Sequence, residues 1–303
     1  MTEFFQQLIN GLALGAIYAL IALGYTMVYG VLRFINFAHG DVFMLGAFAG
    51  FFLTPFVNRF VPEQSYAGGI VVLLLAMAIC AVIGMVIEIL AYRPLRSRPK
   101  LTVLITAIGV SLFIEYTCQH DKIFGAAPRK FPDLIPVTTW HVGQLVISST
   151  QVIVFVTTLL LLAVLRFIVQ KTRVGTAMRA VSFNEQAAAL MGVNINSIIS
   201  FTFGLGSALA AAGGILFAMN YASIDPLMGV QTGLKAFVAA VFGGIGNLPG
   251  AALGGLLLGI IETFAGGIPG LSNYRDGIAF AILIGVLIFR PAGLLGKVQT
   301  EKV

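Results

Sequence analysis

Three short groups of polar residues interrupt otherwise apolar runs, and their types suit the binding or movement of a small solute. The first group runs from Arg33 to Asp41 and includes Asn36 and His39. An ionisable side chain at membrane depth costs at least about 2.5 kcal/mol, so such residues usually face a cavity or a partner. The stretch is therefore either a helix break that lines a solute path or a short cytoplasmic turn in which Asp41 caps the next helix.

The second group lies between residues 220 and 250, where an apolar helix breaks and then resumes. Asp225-Pro226 is typical of a turn or of a helix N-cap. Lys235 stands in an apolar segment, where it either extends its ammonium group to the membrane interface or pairs with an acid such as Asp225. The glycine-rich stretch 243–250 predicts a tight turn between short helices. From these two groups, the predicted residues of the translocation path are Asn36, His39, Asp41, Asn220, Asp225 and Lys235.

The third group is a polar segment of about 171–196, which is long for a connection between two membrane helices. Asn184 can cap a helix that extends through Met191, and Gly192 follows at the position that favours a left-handed backbone. Ala188 and Met191 should share one face of this helix. The helix either lies on the lipid surface or docks into a partner protein. In the docking interpretation, the contact residues are Asn184, Glu185, Ala188, Met191 and Gly192.

The sequence carries no motif that supports catalysis. Its one Gly-Lys pair, Gly296-Lys297, is followed by Val298 and not by the Ser or Thr of a phosphate-binding loop. The three histidines are far apart, and neither His-Glu-x-x-His, Cys-x-x-Cys nor Gly-x-Ser-x-Gly occurs. A catalytic site needs acids and bases that converge on one place. We therefore predict a protein that is not an enzyme and that holds no metal and no cofactor.

The composition indicates that most of the chain lies in a membrane. Hydrophobic residues make up 58% of the 303 residues and charged residues only 10%, whereas soluble domains are about 25% charged. A helix needs about 20 apolar residues to cross the hydrocarbon core. Apolar segments recur at about 8–30, 41–57, 67–91, 102–118, 150–166, 197–219, 233–246, 250–266 and 277–290. We predict an all-α, polytopic transmembrane helical bundle that forms a single domain over residues 1–303.

The basic residues set the expected orientation of this bundle. They concentrate next to apolar segments, which is the positive-inside pattern of cytoplasmic loops and not the pattern of a nucleic-acid-binding surface. The three basic stretches are 93–100, 166–179 and 290–302. Two spans separate the first two stretches, so the polar loop of about 119–149 is expected outside. The short segments 233–246 and 277–290 predict broken or re-entrant helices, with about eight to nine crossings in total.

Five segments of the sequence carry motifs typical of a known family. They are Gly24–Gly30, Ile35–Asp41, Leu234–Phe237, Val241–Gly250 and Arg290–Gly296. Together they resemble the permease subunits of high-affinity branched-chain amino-acid ABC importers, and in particular the smaller of their two paralogous permeases. The resemblance extends over essentially the whole chain.

This resemblance implies an importer of several subunits in the bacterial cytoplasmic (inner) membrane. The permease would pair with a paralogous second permease, and two ATPase subunits would bind on its cytoplasmic side. An extracytoplasmic substrate-binding protein would deliver the amino acid. Glu185–Gly192 matches the coupling segment with which such permeases contact an ATPase. Relatives of the same fold carry urea and short amides, which is the alternative cargo, and the residues alone also suit an ion-coupled secondary transporter.

Overall fold

The structure is a computed structural model that describes residues 2–268, 270 and 272–296. Lys297 and Lys302, which belong to the third predicted basic stretch, lie outside the described residues. Eleven α-helices make up nearly all of the regular structure in the described part. They are α1 (Thr2–Leu32), α2 (His39–Val57), α3 (Tyr66–Ile87), α4 (Lys100–Gln119), α5 (Ser149–Lys171), α6 (Arg173–Phe183), α7 (Glu185–Leu190), α8 (Ile195–Tyr221), α9 (Met228–Gly243), α10 (Leu248–Gly267) and α11 (Arg275–Phe289).

Nine of these helices correspond to the nine apolar segments of the sequence. Eight are long and apolar enough to cross a membrane, the last of them together with the short turn before α11, whereas α9 has only 16 residues. The outer helices α3, α4 and α5 expose large apolar side chains, for example Leu74, Phe113 and Leu160. Such a surface suits lipid tails and not water. The prediction of a polytopic helical bundle with eight to nine crossings is confirmed.

The two ends of the bundle are distinguished by what α1 contacts. At its start, the Gln6 side chain forms two hydrogen bonds of 2.9 Å with the backbone of Val146, inside the polar loop of about 119–149. Just beyond its other end, Arg33 donates a 3.3 Å hydrogen bond to the carbonyl oxygen of Ser182 in α6. We name these the loop end and the basic end. The 31 residues of α1 rise about 46 Å, enough to connect the two.

Glycine allows the central helices to pack backbone against backbone. A Cβ atom on Gly259 in α10 would lie 2.2 Å from the backbone nitrogen of Gly15 in α1. A Cβ atom on Gly46 in α2 would likewise lie 2.3 Å from the Cα atom of Ala211 in α8. Helices attract one another in lipid through van der Waals packing, which such close approach increases. The core of the bundle therefore lies along α1, α8 and α10, with α2 crossing α8.

Helix α2 begins inside the bundle and not at its basic end. The ring of His39 packs 4.6 Å from that of Tyr25, which lies about 10 Å before the end of α1. Asp41 accepts a hydrogen bond from Ser111, near the middle of α4. Both His39 and Asp41 are 1% exposed. His39 and Asp41 thus lie inside the bundle and Asp41 does not cap α2, which favours the helix break over the exposed turn.

Helix α9 also starts inside the bundle, directly beside the start of α2. A Cβ atom on Gly40 would lie 2.4 Å from the carbonyl oxygen of Gly229, and one on Gly233 would lie 2.7 Å from the Cα atom of Gly40. Only glycine permits this approach, because any side chain would meet backbone atoms. Of the two short apolar segments, 233–246 corresponds to α9, which starts inside the bundle as expected of a broken helix, whereas its neighbour here is α2 and not α11, the helix of segment 277–290.

The polar loop of about 119–149 carries three of the four short strands that the structure describes. Arg129–Lys130 (β1) pairs with Ser223–Ile224 (β4), just after α8. Thr139–Val142 (β2) and Leu145–Ser148 (β3) form an antiparallel hairpin. The Ser148 side chain then accepts a 3.2 Å hydrogen bond from the backbone nitrogen of Thr150 and caps α5. The loop is thus ordered, and its strands are a small departure from an all-α fold.

Candidate functional site

A charged cluster centred on Lys235 joins four helices of the bundle. The Nζ atom of Lys235 lies 2.7 Å from Oε1 of Glu262 in α10 and 2.7 Å from Oδ1 of Asp276 in α11. The contact with Asp276 is an ion pair only, because its geometry does not meet that of a hydrogen bond. The Oε2 atom of Glu262 accepts a 2.7 Å hydrogen bond from the hydroxyl group of Tyr18 in α1. Pairing makes these buried charges tolerable, since an unpaired charge would lose its hydration without compensation.

Of the two interpretations of Lys235 drawn from the sequence, pairing with an acid is correct, but the partner is Glu262 and not Asp225, and the interface interpretation is wrong. Lys235 is only 9% exposed, so its ammonium group does not extend to an interface, and Asp225 is not its partner. The Oδ1 atom of Asp225 instead accepts a 2.9 Å hydrogen bond from the backbone nitrogen of Leu227, which stabilises the turn before α9. Glu262 is the one acid in the apolar segment 250–266, and that isolation is the signal in the sequence that could have identified it.

A polar cavity of about 330 Å³ adjoins this cluster toward the loop end of the bundle. Its polar lining consists of four amides, one acid, one base and two hydroxyl groups: Gln7, Asn10, Gln151, Asn220, Glu262, Arg275, Thr263 and Tyr221. The Oδ1 atom of Asn10 accepts a 2.8 Å hydrogen bond from Gln151. Amides both donate and accept hydrogen bonds, and Glu262 and Arg275 supply charges of opposite sign. The cavity therefore complements a small zwitterion, and Asn220 is the predicted path residue that lines it.

His39 and Asp41 lie at the junction of α2 with α9, apart from the Lys235 cluster. The Oδ2 atom of Asp41 accepts a 2.5 Å hydrogen bond from Ser111, while its Oδ1 atom has no partner among the described residues. The Nε2 atom of His39 is also buried, with no hydrogen bond to the described part of the chain. Buried ionisable groups of this kind are costly and commonly mark solute pathways in transporters.

Asn36 makes a structural contact. Its Oδ1 atom accepts a 2.6 Å hydrogen bond from the hydroxyl group of Tyr92, which is fully buried against Phe34 and Phe203. This bond ties the break before α2 to the helical turn that follows α3. The six predicted path residues are therefore engaged in different places. Asn36 bonds Tyr92, Asp225 bonds the turn before α9, and Asn220 lines the cavity.

A further buried charge, Glu88, was not identified from the sequence. It lies in a π-helical turn, Glu88–Tyr92, at the basic end, and its side chain is fully buried. Its carboxylate pairs with Arg93 at 2.9 Å and with Arg96, and it accepts a 2.5 Å hydrogen bond from Ser200 in α8. Two of the basic residues that set the expected orientation thus also anchor the end of α3 to α8.

Helices α6 and α7 form a surface at the basic end of the bundle. The Asn184 side chain accepts a 2.9 Å hydrogen bond from the backbone nitrogen of Ala187, and Gly192 has a φ of +84°, so the predicted cap and stop are present. Leu190 and Met191 are 88% and 85% exposed. Together with Phe183, which is 88% exposed, and the exposed Glu185 they form what we name the α7 surface.

The prediction that Ala188 and Met191 share one face of the helix is wrong. Ala188 is 4% exposed and belongs to a buried apolar cluster with Val181 and Ile199. Helix α7 has only six residues and ends at Leu190, so Met191 already lies in the turn that follows. The side of α7 that carries Ala188 packs against the chain itself, and the opposite side is exposed.

Comparisons with known proteins match the chain to transport permeases. Residues 7–287 match the family described as "Branched-chain amino acid transport system / permease component". The chain is 41% identical over 303 residues to the high-affinity branched-chain amino acid transport system permease protein BraD of Pseudomonas aeruginosa. The alignment covers 99% of this chain and 98% of that protein. The chain is 39% identical over 308 residues to LivH of Escherichia coli K12, with 99% and 98% coverage. An autoinducer 2 import system permease protein, LsrC of Yersinia pestis, matches only 53% of the chain, at 31% identity.

Proposed function

This chain belongs to the branched-chain amino acid transport permease family, and we propose that it is the membrane subunit through which an ATP-driven importer moves branched-chain amino acids. The observation that carries the proposal is identity of 38–41% along nearly the full length of permeases of that named activity. The match to the autoinducer 2 permease covers about half of the chain and supports the common fold more than that cargo. The chain is a multi-pass membrane protein, and we place it in the bacterial cytoplasmic membrane.

The loop-end cavity and the Lys235 cluster are the proposed entrance to the path. A zwitterion that enters the cavity meets Glu262 and Arg275, whose opposite charges complement its ammonium and carboxylate groups. Glu262 already forms an ion pair with Lys235 and a hydrogen bond with Tyr18, so it would bind a further ammonium group only weakly. Weak, replaceable contacts suit a path, because tight binding would slow release. His39 and Asp41 then lie deeper, at the junction of the two broken helices.

The α7 surface is the proposed contact with an ATPase subunit. Exposed apolar side chains at the end of a polar segment are typical of a protein interface, since water alone would not favour them. We propose two ATPase subunits that hydrolyse ATP at this end, a paralogous second permease beside this one and a substrate-binding protein at the loop end. In this assembly the chain itself is not an enzyme.

A reconstituted system tests the proposal directly. The permease would be placed in proteoliposomes with its second permease, ATPase subunits and binding protein, and ATP-dependent uptake of labelled leucine would be compared with uptake of labelled urea. We expect leucine uptake that requires ATP and all subunits. Uptake of leucine driven by an ion gradient without ATP would favour the secondary-transporter class, and uptake of urea alone would reject the proposed cargo.

A further inference from the structure

A second cavity, of about 310 Å³, lies at the basic end between the end of α1, the start of α4 and the connection from α6 to α7. Four basic side chains line it, against a single acid, Glu185: Arg33, Arg96, Arg98 and Lys100. The remaining lining is largely apolar and consists of Val31, Leu32, Phe34, Val103, Val181 and Phe183, with Ser182 beside them. The cavity thus combines several cations with an apolar wall.

Two of these cations have no side-chain partner among the residues that the structure describes. Arg96 is occupied by Glu88 and by a 2.9 Å hydrogen bond to Asn196. The Arg98 and Lys100 side chains form no hydrogen bond or ion pair with any residue that the structure describes. The start of α4 adds to the positive field, because Pro99 stands at its N-cap position and supplies no side chain to the free backbone N–H groups.

An exposed apolar surface of α4 adjoins the cavity residue Lys100. On α4, immediately beyond Lys100, Leu101 and Ile105 are 65% and 60% exposed. A ligand seated here could therefore place a phosphate group among the cations and an apolar chain along α4. Basic pockets between membrane helices on the cytoplasmic side are known to hold lipid head groups.

We propose that this cavity binds the phosphate group of an anionic phospholipid. Scattered basic residues at a membrane edge are explained by orientation alone, but here four cations line one cavity whose remaining wall is largely apolar. A bound lipid would connect α1, α4 and α6 at the base of the α7 surface, independently of which solute the permease carries.

The test uses the full-length chain, purified in a neutral detergent. Native mass spectrometry would compare retention of phosphatidylglycerol with retention of phosphatidylcholine of the same acyl chains, in separate titrations with and without inorganic phosphate. Variant Arg98→Gln/Lys100→Gln removes the two unpaired cations of the cavity. Variant Arg166→Gln/Lys171→Gln removes two cations of the same end that do not line the cavity and serves as the matched control.

We expect phosphatidylglycerol to be retained selectively, and its affinity to fall about 30-fold in the cavity variant and less than about threefold in the control. If both variants lost the same affinity for phosphatidylglycerol, the lipid would be attracted by the positive surface in general and not by this cavity, and the proposal would be overturned. Displacement of the lipid by millimolar inorganic phosphate, with no preference between the two lipids, would indicate a free-phosphate site and also overturn it. Unchanged thermal unfolding of both variants would show that the loss is not due to misfolding.

Discussion

The Nζ atom of Lys235 lies 2.7 Å from the Oε1 atom of Glu262, and this contact joins the broken helix α9 to α10. Helix α10 packs closely along α1 through Gly259 and Gly15, so it cannot move freely with α9. Asp276 offers the ammonium group a second carboxylate at 2.7 Å, with a side chain that is 43% exposed. The ammonium group thus contacts both carboxylates at once, so the loss of either contact would still leave the lysine paired.

Replacement of Lys235 by Met should destabilise the folded protein by about 3–5 kcal/mol, because Glu262 would remain buried without a cation. The double variant Lys235→Met/Glu262→Gln removes both charges and should recover most of this loss. Denaturant unfolding in detergent, compared between the wild type and the two variants, measures the effect. A double variant no more stable than Lys235→Met would contradict the assignment of Glu262 as the principal partner.

Asp41→Asn should reduce the maximal rate of uptake by about an order of magnitude while leaving the concentration for half-maximal uptake unchanged. The asparagine keeps an oxygen that can accept the Ser111 hydrogen bond, so the change removes charge and little else. Ser111→Ala is the control, since it removes the hydrogen bond and keeps the charge. Uptake measured against substrate concentration separates the two parameters. A large rise in half-saturation with an unchanged maximal rate would place substrate recognition inside this chain.

Gly259→Ala should destabilise the bundle by about 1–3 kcal/mol, because the new methyl group would meet the backbone of Gly15. Gly109→Ala in α4 is the matched control, since no atom lies within 4 Å of its Cβ position. Alanine also favours the helix more than glycine does, so this control should be neutral or slightly stabilising. Thermal unfolding of both variants in the same detergent provides the comparison, and equal destabilisation would argue against close packing of α1 and α10.

Much of the fold could be predicted because membrane helices are specified locally. An apolar run of sufficient length has one solution in lipid, a helix whose backbone groups are paired within the segment. All nine apolar segments therefore form helices, and the Asn184 cap and the Gly192 stop follow correctly from residue types.

The partners of the polar residues could not be predicted, because they are set by packing between distant segments. Lys235 pairs with Glu262, which lies in the next helix and within an apolar run of the sequence. Asn36 pairs with Tyr92 through a contact between residues 56 positions apart. The orientation of Ala188 is predicted wrongly, because six residues provide too little pattern to fix which side of a helix faces the bundle.

Orientation can be tested with single cysteines in a background where Cys80 and Cys118 are replaced. A cysteine at Gln144, between the strands of the exposed hairpin, should react with a membrane-impermeant maleimide in intact cells. Cysteines at Ser97 and Thr176, both exposed at the basic end, should react only after the membrane is opened. The positive-inside rule predicts that the basic end lies in the cytoplasm and the loop end outside. Labelling of the basic end and not of the loop end in intact cells would overturn this orientation.

Met191→Arg should uncouple the permease from its ATPase subunits without disturbing its own fold. Met191 is 85% exposed, so the new charge costs this chain little, but it would enter an apolar contact on the partner. Uptake should fall by at least about tenfold while insertion and thermal unfolding stay normal.

Two further variants test whether the effect of Met191→Arg is specific to the α7 surface. Ala188→Arg should instead destabilise the chain, since Ala188 is buried, and Gln144→Arg at the loop end should change neither uptake nor stability. ATP-dependent uptake and co-purification of the ATPase would be measured for all three variants. Wild-type uptake by Met191→Arg, with the ATPase still bound, would show that the α7 surface is not the coupling contact.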